Sequence, residues 1–446
     1  MWLFVWAILI GVVSAHASDD AEAFAWQAIE EIAAGNGEKG SWRQNDSRYD
    51  YVDDPAVAMD ERGNIAVAWV EQKRKDVIFR IVAADDRKGT GQKIKGKEVT
   101  QAVNISRSPD TFSWLPRIVY SPRDPQKIFI IWQEIIFSGA SHGGEIFFAR
   151  SGDGGKSFGT PVNVSHSFGG DGKGRINKDV WHNGSYDLAV GPDGSIYVVW
   201  TEYDGMLWIA RSRDGGKRFS EPRQLAGSRD QPARGPSIAV GREGAIYLAW
   251  TTGETDAADI LIARSDDQGA SFSAPQAVGA SATYSDAPKL AVDSQGCLHL
   301  AYAESDGDAF GNYHVRYTRS FDGASSFEEG RSISAPLPAK ISGTAFPSIA
   351  VGAGGTVVLT SELYPGKNER PRGLGIAVSS DGGRTFGASR TVPGSADPKG
   401  GGNGSHQGLL MEKVSLGADG TLAIVNSSLK PGSHSRVWLM RGKLIR

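Results

Sequence analysis

The chain has 446 residues, of which 40% are hydrophobic and 22% charged, and its formal net charge is -3. That length suits a repeat fold as well as several domains, and so small a net charge supplies no field for nucleic acid or an anionic membrane. With a single cysteine, Cys297, no intrachain disulfide can form, so packing and closure must hold the fold.

Residues 1–17 read as a signal peptide: Met1 to Val13 is an apolar run too short to span a bilayer, and Ala15-His16-Ala17 fits a cut before Ser18. This implies a secreted or periplasmic protein with no stable membrane span after cleavage. Residues 18–39 form an N-terminal segment whose Ala-rich spacing over 19–36 predicts a short helix. Residues 40–446 repeat. Each repeat opens with a short apolar strand, a turn ending in glycine and a second strand closing on an aromatic, as in Asp193-Gly194-Ser195 followed by Ile196 to Trp200. The turn glycines are Gly63, Gly194, Gly244, Gly296, Gly355 and Gly420, and a further copy around Arg123-Asp124-Pro125 keeps its strand, Ile128 to Trp132. First strands begin near Pro55, Pro116, Tyr186, Pro236, Pro288, Pro347 and Glu412.

A second element follows most hairpins, with the form Ser-x-Asp-x-Gly-x-x-Phe. Its copies are Ser151/Asp153/Gly155/Phe158, Ser212/Asp214/Gly216/Phe219, Ser265/Asp267/Gly269/Phe272 and Ser379/Asp381/Gly383/Phe386, and Ser320/Asp322/Phe327 carries Ala324 in the glycine slot. Ser and Asp side chains satisfy turn amides, glycine takes the left-handed conformation and the aromatic folds under the turn. These repeats resemble the Asp-box (BNR repeat) of sialidase-like β-propellers. The resemblance covers nearly all of the chain after the leader and implies an all-β propeller in which the boxes are structural. The strand starts predict a seven-bladed β-propeller, with the six-bladed sialidase-like form as the alternative. The last repeat lacks a fourth strand, so N-to-C strand closure is expected, with Gly40-Ser41-Trp42-Arg43 supplying it.

The loop face opposite the boxes does not repeat, and His142, His166, His182, His406 and His434 fall there. Aligned first strands place Ala56, Arg117, Asp187, Ser237, Lys289, Ser348 and Lys413 at one position lining the central channel. Charges there are costly unless paired or solvated, which makes Arg117, Asp187, Lys289 and Lys413 candidate ligand contacts. Asp53, Asp54, Trp114, Arg234, Tyr284 and Asp286 extend the rim, and His182 and His406 complete the ligand-binding candidates. Glu71, Glu134, Glu202, Glu304 and Glu362 recur at the ends of second strands and read as architecture. Cys297 reads as a small buried residue. No metal and no cofactor is expected.

The resemblance implies, for a catalytic member, an arginine cluster, a Tyr–Glu nucleophile pair and an acid/base Asp. The opening Phe/Tyr-Arg-Ile/Leu-Pro motif of such enzymes is absent; Pro116-Arg117-Ile118 has another order, and Arg117, Arg234 and Arg372 share no motif. The reading is therefore a recognition module for a glycan, peptide or protein on the loop face, with an exo-sialidase-type glycoside hydrolase of diverged site as the alternative and catalytic residues unassigned.

Overall fold

The computed structural model describes residues 23–43, 45–83, 101–108, 110–135, 144–167, 173–175, 181–183, 186–202, 204–253, 258–279, 283–366, 369–404 and 412–445, so the expected leader, residues 1–17, lies outside it. Apolar residues at period two build the strands, and the turn glycines punctuate them. Four sheets have four strands each: Val52–Met59, Ile65–Glu71, Asp76–Val82 and Val103–Asn104; Ser113–Ser121, Asp124–Glu134, Glu145–Ser151 and Val162–Asn163; Tyr186–Val190, Ile196–Thr201, Leu207–Ser212 and Arg223–Ala226; and Gly343–Val351, Val357–Tyr364, Leu374–Ser379 and Arg390–Thr391. The first strands of successive sheets lie beside one another, Val52–Met59 against Ser113–Ser121 and Ser113–Ser121 against Tyr186–Val190.

Two expectations are corrected. The strands do not form the seven-bladed propeller, or the six-bladed alternative, as separate blades. The sheet that starts at Ala233–Val240 runs on into the one that starts at Tyr284–Val292, through a parallel pairing of Ala258 with Tyr284, to give eight strands. Nor is there an N-terminal helix: the described residues contain no α-helix, only a 3-10 turn at Ala353–Gly355. Phe24–Trp26 and Glu30–Gly35 are strands instead, and both pair with His434–Leu444. The free edge of that C-terminal strand offers backbone partners along its whole length, and burial of Phe24 and Ile32 there outweighs the local helix preference of the alanines. Gly40–Arg43, the segment expected to close the ring, lies off the sheet, and Trp42 packs on Phe112 and Trp114. The closing sheet has six strands, with Thr421–Lys430, Val414–Leu416 and Gly402–Asn403 completing it.

The Ser-x-Asp turns share one geometry. Ser151 Oγ donates to Asp153 Oδ1 at 2.7 Å and accepts from the Gly155 amide at 2.9 Å, and Ser212/Asp214, Ser265/Asp267, Ser320/Asp322 and Ser379/Asp381 repeat the first bond. Gly216, Gly269 and Gly383 repeat the second, each amide lying 2.9 Å from its serine, and all three are left-handed with φ between 77° and 82°. Ala324 adopts φ of 70° in the same slot and donates to Ser320 at 3.0 Å, so the conformation alone does not exclude a side chain. Space does so at three of the copies. A Cβ on Gly155 would lie 2.5 Å from the Phe79 ring, and one on Gly216 or Gly383 would run into the Phe148 or Tyr317 ring, whereas at Gly269 it would meet Tyr197 at an ordinary 3.5 Å.

The box aromatics fasten neighbouring sheets, although they fold under the turn less completely than the motif suggests. Phe158 meets Phe79 of the preceding sheet edge to face at 4.9 Å, Phe219 meets Phe148 at 5.0 Å and Phe386 meets Tyr317 at 4.8 Å. Phe272 packs at the margin of the cluster that holds Tyr197, and Phe327 at the margin of the one that holds Tyr247. Phe158 is buried, but Phe219, Phe272, Phe327 and Phe386 are half-buried, because they close the end of an interface and keep one side towards solvent.

Phe24→Ala tests the terminal strand. Phe24 is 2% exposed against Trp438, Met440 and Leu422, so truncation is expected to destabilise the protein by about 3–5 kcal/mol in a denaturant melt.

Candidate functional site

Five first strands carry the same irregularity. Asp54, Leu115, Gly235, Ala287 and Phe346 each precede a proline and each has φ between 50° and 57°. The ladder shifts by one residue at each: Asp53 pairs with Val70 but Ala56 with Ala68, and the same skip separates Trp114 from Arg117, Arg234 from Ser237, Asp286 from Lys289 and Ala345 from Ser348. Residues three apart in a regular strand face opposite sides. The extra residue of the bulge brings them onto one side, so each such strand presents a rim residue and a channel residue together.

Among the channel candidates, Arg117, Asp187 and Lys289 come together. All three are buried. Asp187 Oδ2 accepts from Ser237 Oγ at 3.1 Å and from the Ile238 amide at 3.0 Å. Burial lowers the Lys289 pKa, as does the Arg117 guanidinium, against the pull of Asp187 and Glu412. The Glu412 carboxyl is pushed up by burial first and then by Asp187, against Lys289 and Arg117. Glu412 was not among the charges read from the sequence, where it marked only a strand start; an acid directly before the aligned lysine was the available signal. Arg117 lies over the Tyr186 ring at 5.6 Å and donates weakly to the Pro116 carbonyl at 3.5 Å, while its Nε and Nη2 are buried without a hydrogen-bond partner.

Lys413 does not join them. Its ammonium pairs with Glu362 and also contacts Asn426 Oδ1 at 3.2 Å. Arg234 and Asp286 form a second cluster: the guanidinium donates to Tyr284 Oη and the Gly253 carbonyl and sits 3.4 Å from Asp286 Oδ1, which also accepts from Thr251 at 2.9 Å. Asp53 Oδ1 accepts from Ser427 at 2.7 Å, whereas Oδ2 is buried and unpartnered, and burial raises its pKa. Trp114 is buried and donates to Gln72 Oε1. His182 lies on the strand Trp181–Asn183; His406 and His142 fall outside the described residues. His166 is exposed, and His434 binds Asp397 at 2.7 Å. Cys297 is buried, and its thiol is pushed up to about 11 by burial and by Asp293, which leaves little thiolate near neutrality.

Within the glutamate ladder Glu134 accepts from Thr111, Ser113 and Trp132, a structural role. Glu202 differs. Burial, then the charge of Asp204, lifts its carboxyl to about 7, the range of a group able to exchange protons near neutrality.

A cavity of about 210 Å³ opens on the loop face beside the second cluster. Phe310, Tyr313, Phe346 and Tyr364 supply its aromatic walls, with Asn312, Ser342 and Thr344 as polar groups. Thr344 Oγ1 is buried there without a partner. Tyr313 approaches Tyr284 edge to face at 6.3 Å, which links the cavity to Arg234.

No protein-family model matches the sequence, and no curated protein is a detectable relative. Solved structures do resemble it. An ulvan lyase, a polysaccharide lyase bound to -[GlcA(1-4)Rha3S]-, is 12% identical over 92% of this chain and 95% of its own, with a TM-score of 0.55. A protein of unknown function from Dyadobacter fermentans is 14% identical over 94% and 99%, at 0.51. A Penicillium chrysogenum alpha-L-arabinanase complexed with arabinobiose is 12% identical over 73% and 92%, at 0.51. The likeness is one of fold alone, that of a β-propeller.

Two outcomes are expected of this site. Glu362→Ala leaves the Lys413 ammonium buried without its counter-charge and should cost about 3–5 kcal/mol in a denaturant melt. Glu202 holds in the native state a proton that the unfolded chain releases near its ordinary pKa of about 4.3. Stability should therefore fall as pH rises from there towards 7, and Glu202→Gln should flatten that part of a melting-temperature profile.

Proposed function

We propose that the loop face binds a carbohydrate, with one sugar ring seated in the cavity between Phe310, Tyr313, Phe346 and Tyr364. The observation that carries this is the pairing of aromatic walls with the buried, unpartnered hydroxyl of Thr344. A sugar ring presents apolar C–H faces and a polar hydroxyl edge, and this lining offers both complements. At about 210 Å³ the cavity is smaller than the ~300–1,000 Å³ typical of drug-sized sites, which suits one ring of a longer chain better than a folded peptide. Similarity of fold to a lyase bound to a glucuronate-containing saccharide and to an arabinanase complexed with arabinobiose supports the same class of ligand. The apolar leader makes a secreted or periplasmic setting part of this proposal.

Sialidase-type hydrolysis is the less favoured reading. It needs converging arginines, and Arg117 and Arg234 are committed to separate clusters, one with Lys289, Asp187 and Glu412, the other with Asp286 and Tyr284.

Phe310 is 50% exposed, so its replacement need not disturb the fold. Calorimetric titration with neutral and uronate-bearing oligosaccharides should show binding. Phe310→Ala should weaken it about tenfold, equivalent to about 1.4 kcal/mol, at an unchanged melting temperature. A fluorogenic sialoside should remain intact. If Phe310→Ala binds as well as the parent protein, the cavity is not the site.

A further inference from the structure

The turn that joins Tyr284–Val292 to Leu298–Ser305 lies at the far end of the strand from Asp286, and it gathers three metal-binding side chains of different chemistry. The carboxylate of Asp293, the thiol of Cys297 and the imidazole of His299 all place their donor atoms within 4.8 Å of one another. Strand geometry explains the convergence. Asp293 and Cys297 face each other across the turn, with the Asp293 amide donating to the Cys297 carbonyl at 3.0 Å, and His299 is two residues further on the same face.

Turn formation accounts for only part of this arrangement. Asp293 Oδ1 accepts the Gln295 and Cys297 amides at 2.8 and 2.9 Å, as Asp60 Oδ1 accepts those of Arg62 and Asn64 in the first repeat. There the second oxygen, Asp60 Oδ2, is satisfied by the Asn64 side chain at 2.8 Å, and the residue at the imidazole's position is Ala66. In the present turn Cys297 replaces the amide donor, and Oδ2 faces His299 Nε2 at 3.4 Å. That nitrogen is fully buried, and its approach to the carboxylate falls short of a well-formed hydrogen bond. Nδ1 of the same ring is 2.6 Å from Tyr317 Oη, which fixes the ring with Nε2 aimed at the carboxylate and thiol. A histidine bound to metal through one nitrogen is ordinarily held in this way through the other. The nearby cation, Arg319, is paired with Glu328 through Nε at 2.8 Å and Nη2 at 3.0 Å, which offsets its charge.

We propose that Asp293, Cys297 and His299 form a zinc-binding site that clamps this turn. One oxygen, one sulfur and one nitrogen donor suit Zn²⁺ better than Mg²⁺ or Ca²⁺, which take oxygen ligands. Ligand atoms around tetrahedral zinc stand roughly 3.5 Å apart at the usual bond lengths. The donor atoms stand within 4.8 Å of one another, so a bound ion would draw them closer together. The fourth position is open to water, and Asp293, at the edge of the cluster with its side chain 11% exposed, provides the path in. On binding, the thiol gives up its proton to solvent and coordinates as thiolate. The site is independent of the carbohydrate reading and stands or falls without it.

The full-length protein, dialysed after exposure to zinc, should retain about one zinc per chain by elemental analysis. Cobalt in place of zinc should give tetrahedral visible bands with a thiolate charge-transfer band. Cys297→Ser and His299→Gln should each lose the metal while keeping the β-sheet circular dichroism of the parent. Because Cys297 is the sole cysteine, a thiol reagent reads the site in the parent protein even where a variant folds poorly: zinc should slow its reaction at least tenfold. Failure to retain zinc, retention undiminished in both folded variants, or thiol reactivity unaffected by zinc would each overturn the proposal.

Discussion

A left-handed residue ahead of a proline, set into the innermost strand of five repeats, is the constraint on which the interior of this propeller depends. The conformation is unfavourable for any side chain other than glycine, yet Asp54, Leu115, Ala287 and Phe346 adopt it as Gly235 does. What it provides is a change of phase. With the extra residue in place, Arg234 stands over Ser237 and Asp286 over Lys289, so that the channel wall has two tiers of side chains where a regular strand would turn one of them into the sheet packing. The Phe346 bulge also sets that ring against Tyr364 and so builds one wall of the loop-face cavity. Backbone strain, channel charge and cavity shape are therefore one arrangement.

Much of this was legible in the sequence because turns are written in local chemistry. Glycine at Gly63 or Gly194, and serine and aspartate at Ser151 and Asp153, report conformations that only a few residues adopt, and register follows from them. The strand starts then aligned Arg117, Asp187 and Lys289, three charges that do meet in the channel. Lys413 was aligned equally well but belongs elsewhere, because its partner, Glu362, comes from a second strand whose recurrence gave no hint of pairing. Glu412 was missed for the complementary reason: it belongs to the channel by position, yet it stands at a strand entrance, where nothing periodic marks it.

The N-terminus shows where local reasoning fails. Residues 19–36 carry the composition of a helix, and composition is all that a sequence offers about an isolated segment. Whether Glu30–Gly35 becomes a strand is decided by Arg436 to Leu439, which leave an edge that must be covered. The same limit hid the cluster of Asp293, Cys297 and His299. Its spacing matches no metal motif, since the ligands converge across a turn and along one face of a strand, and only the equivalence with Asp60 and Asn64 shows that something is different there.

The pairing of the first strands with the last also sets an order of events. Arg441 binds Glu30 at 2.7 Å although they are 411 positions apart. At ordinary rates of synthesis Glu30 waits roughly 20–80 s for that partner to be made. Throughout that interval every sheet but the last can assemble in turn, while Phe24 and Ile32 have no surface to cover. The ring is thus completed by its oldest residues, and the interval before it shuts is when the growing chain most needs protection from pairing with a neighbour.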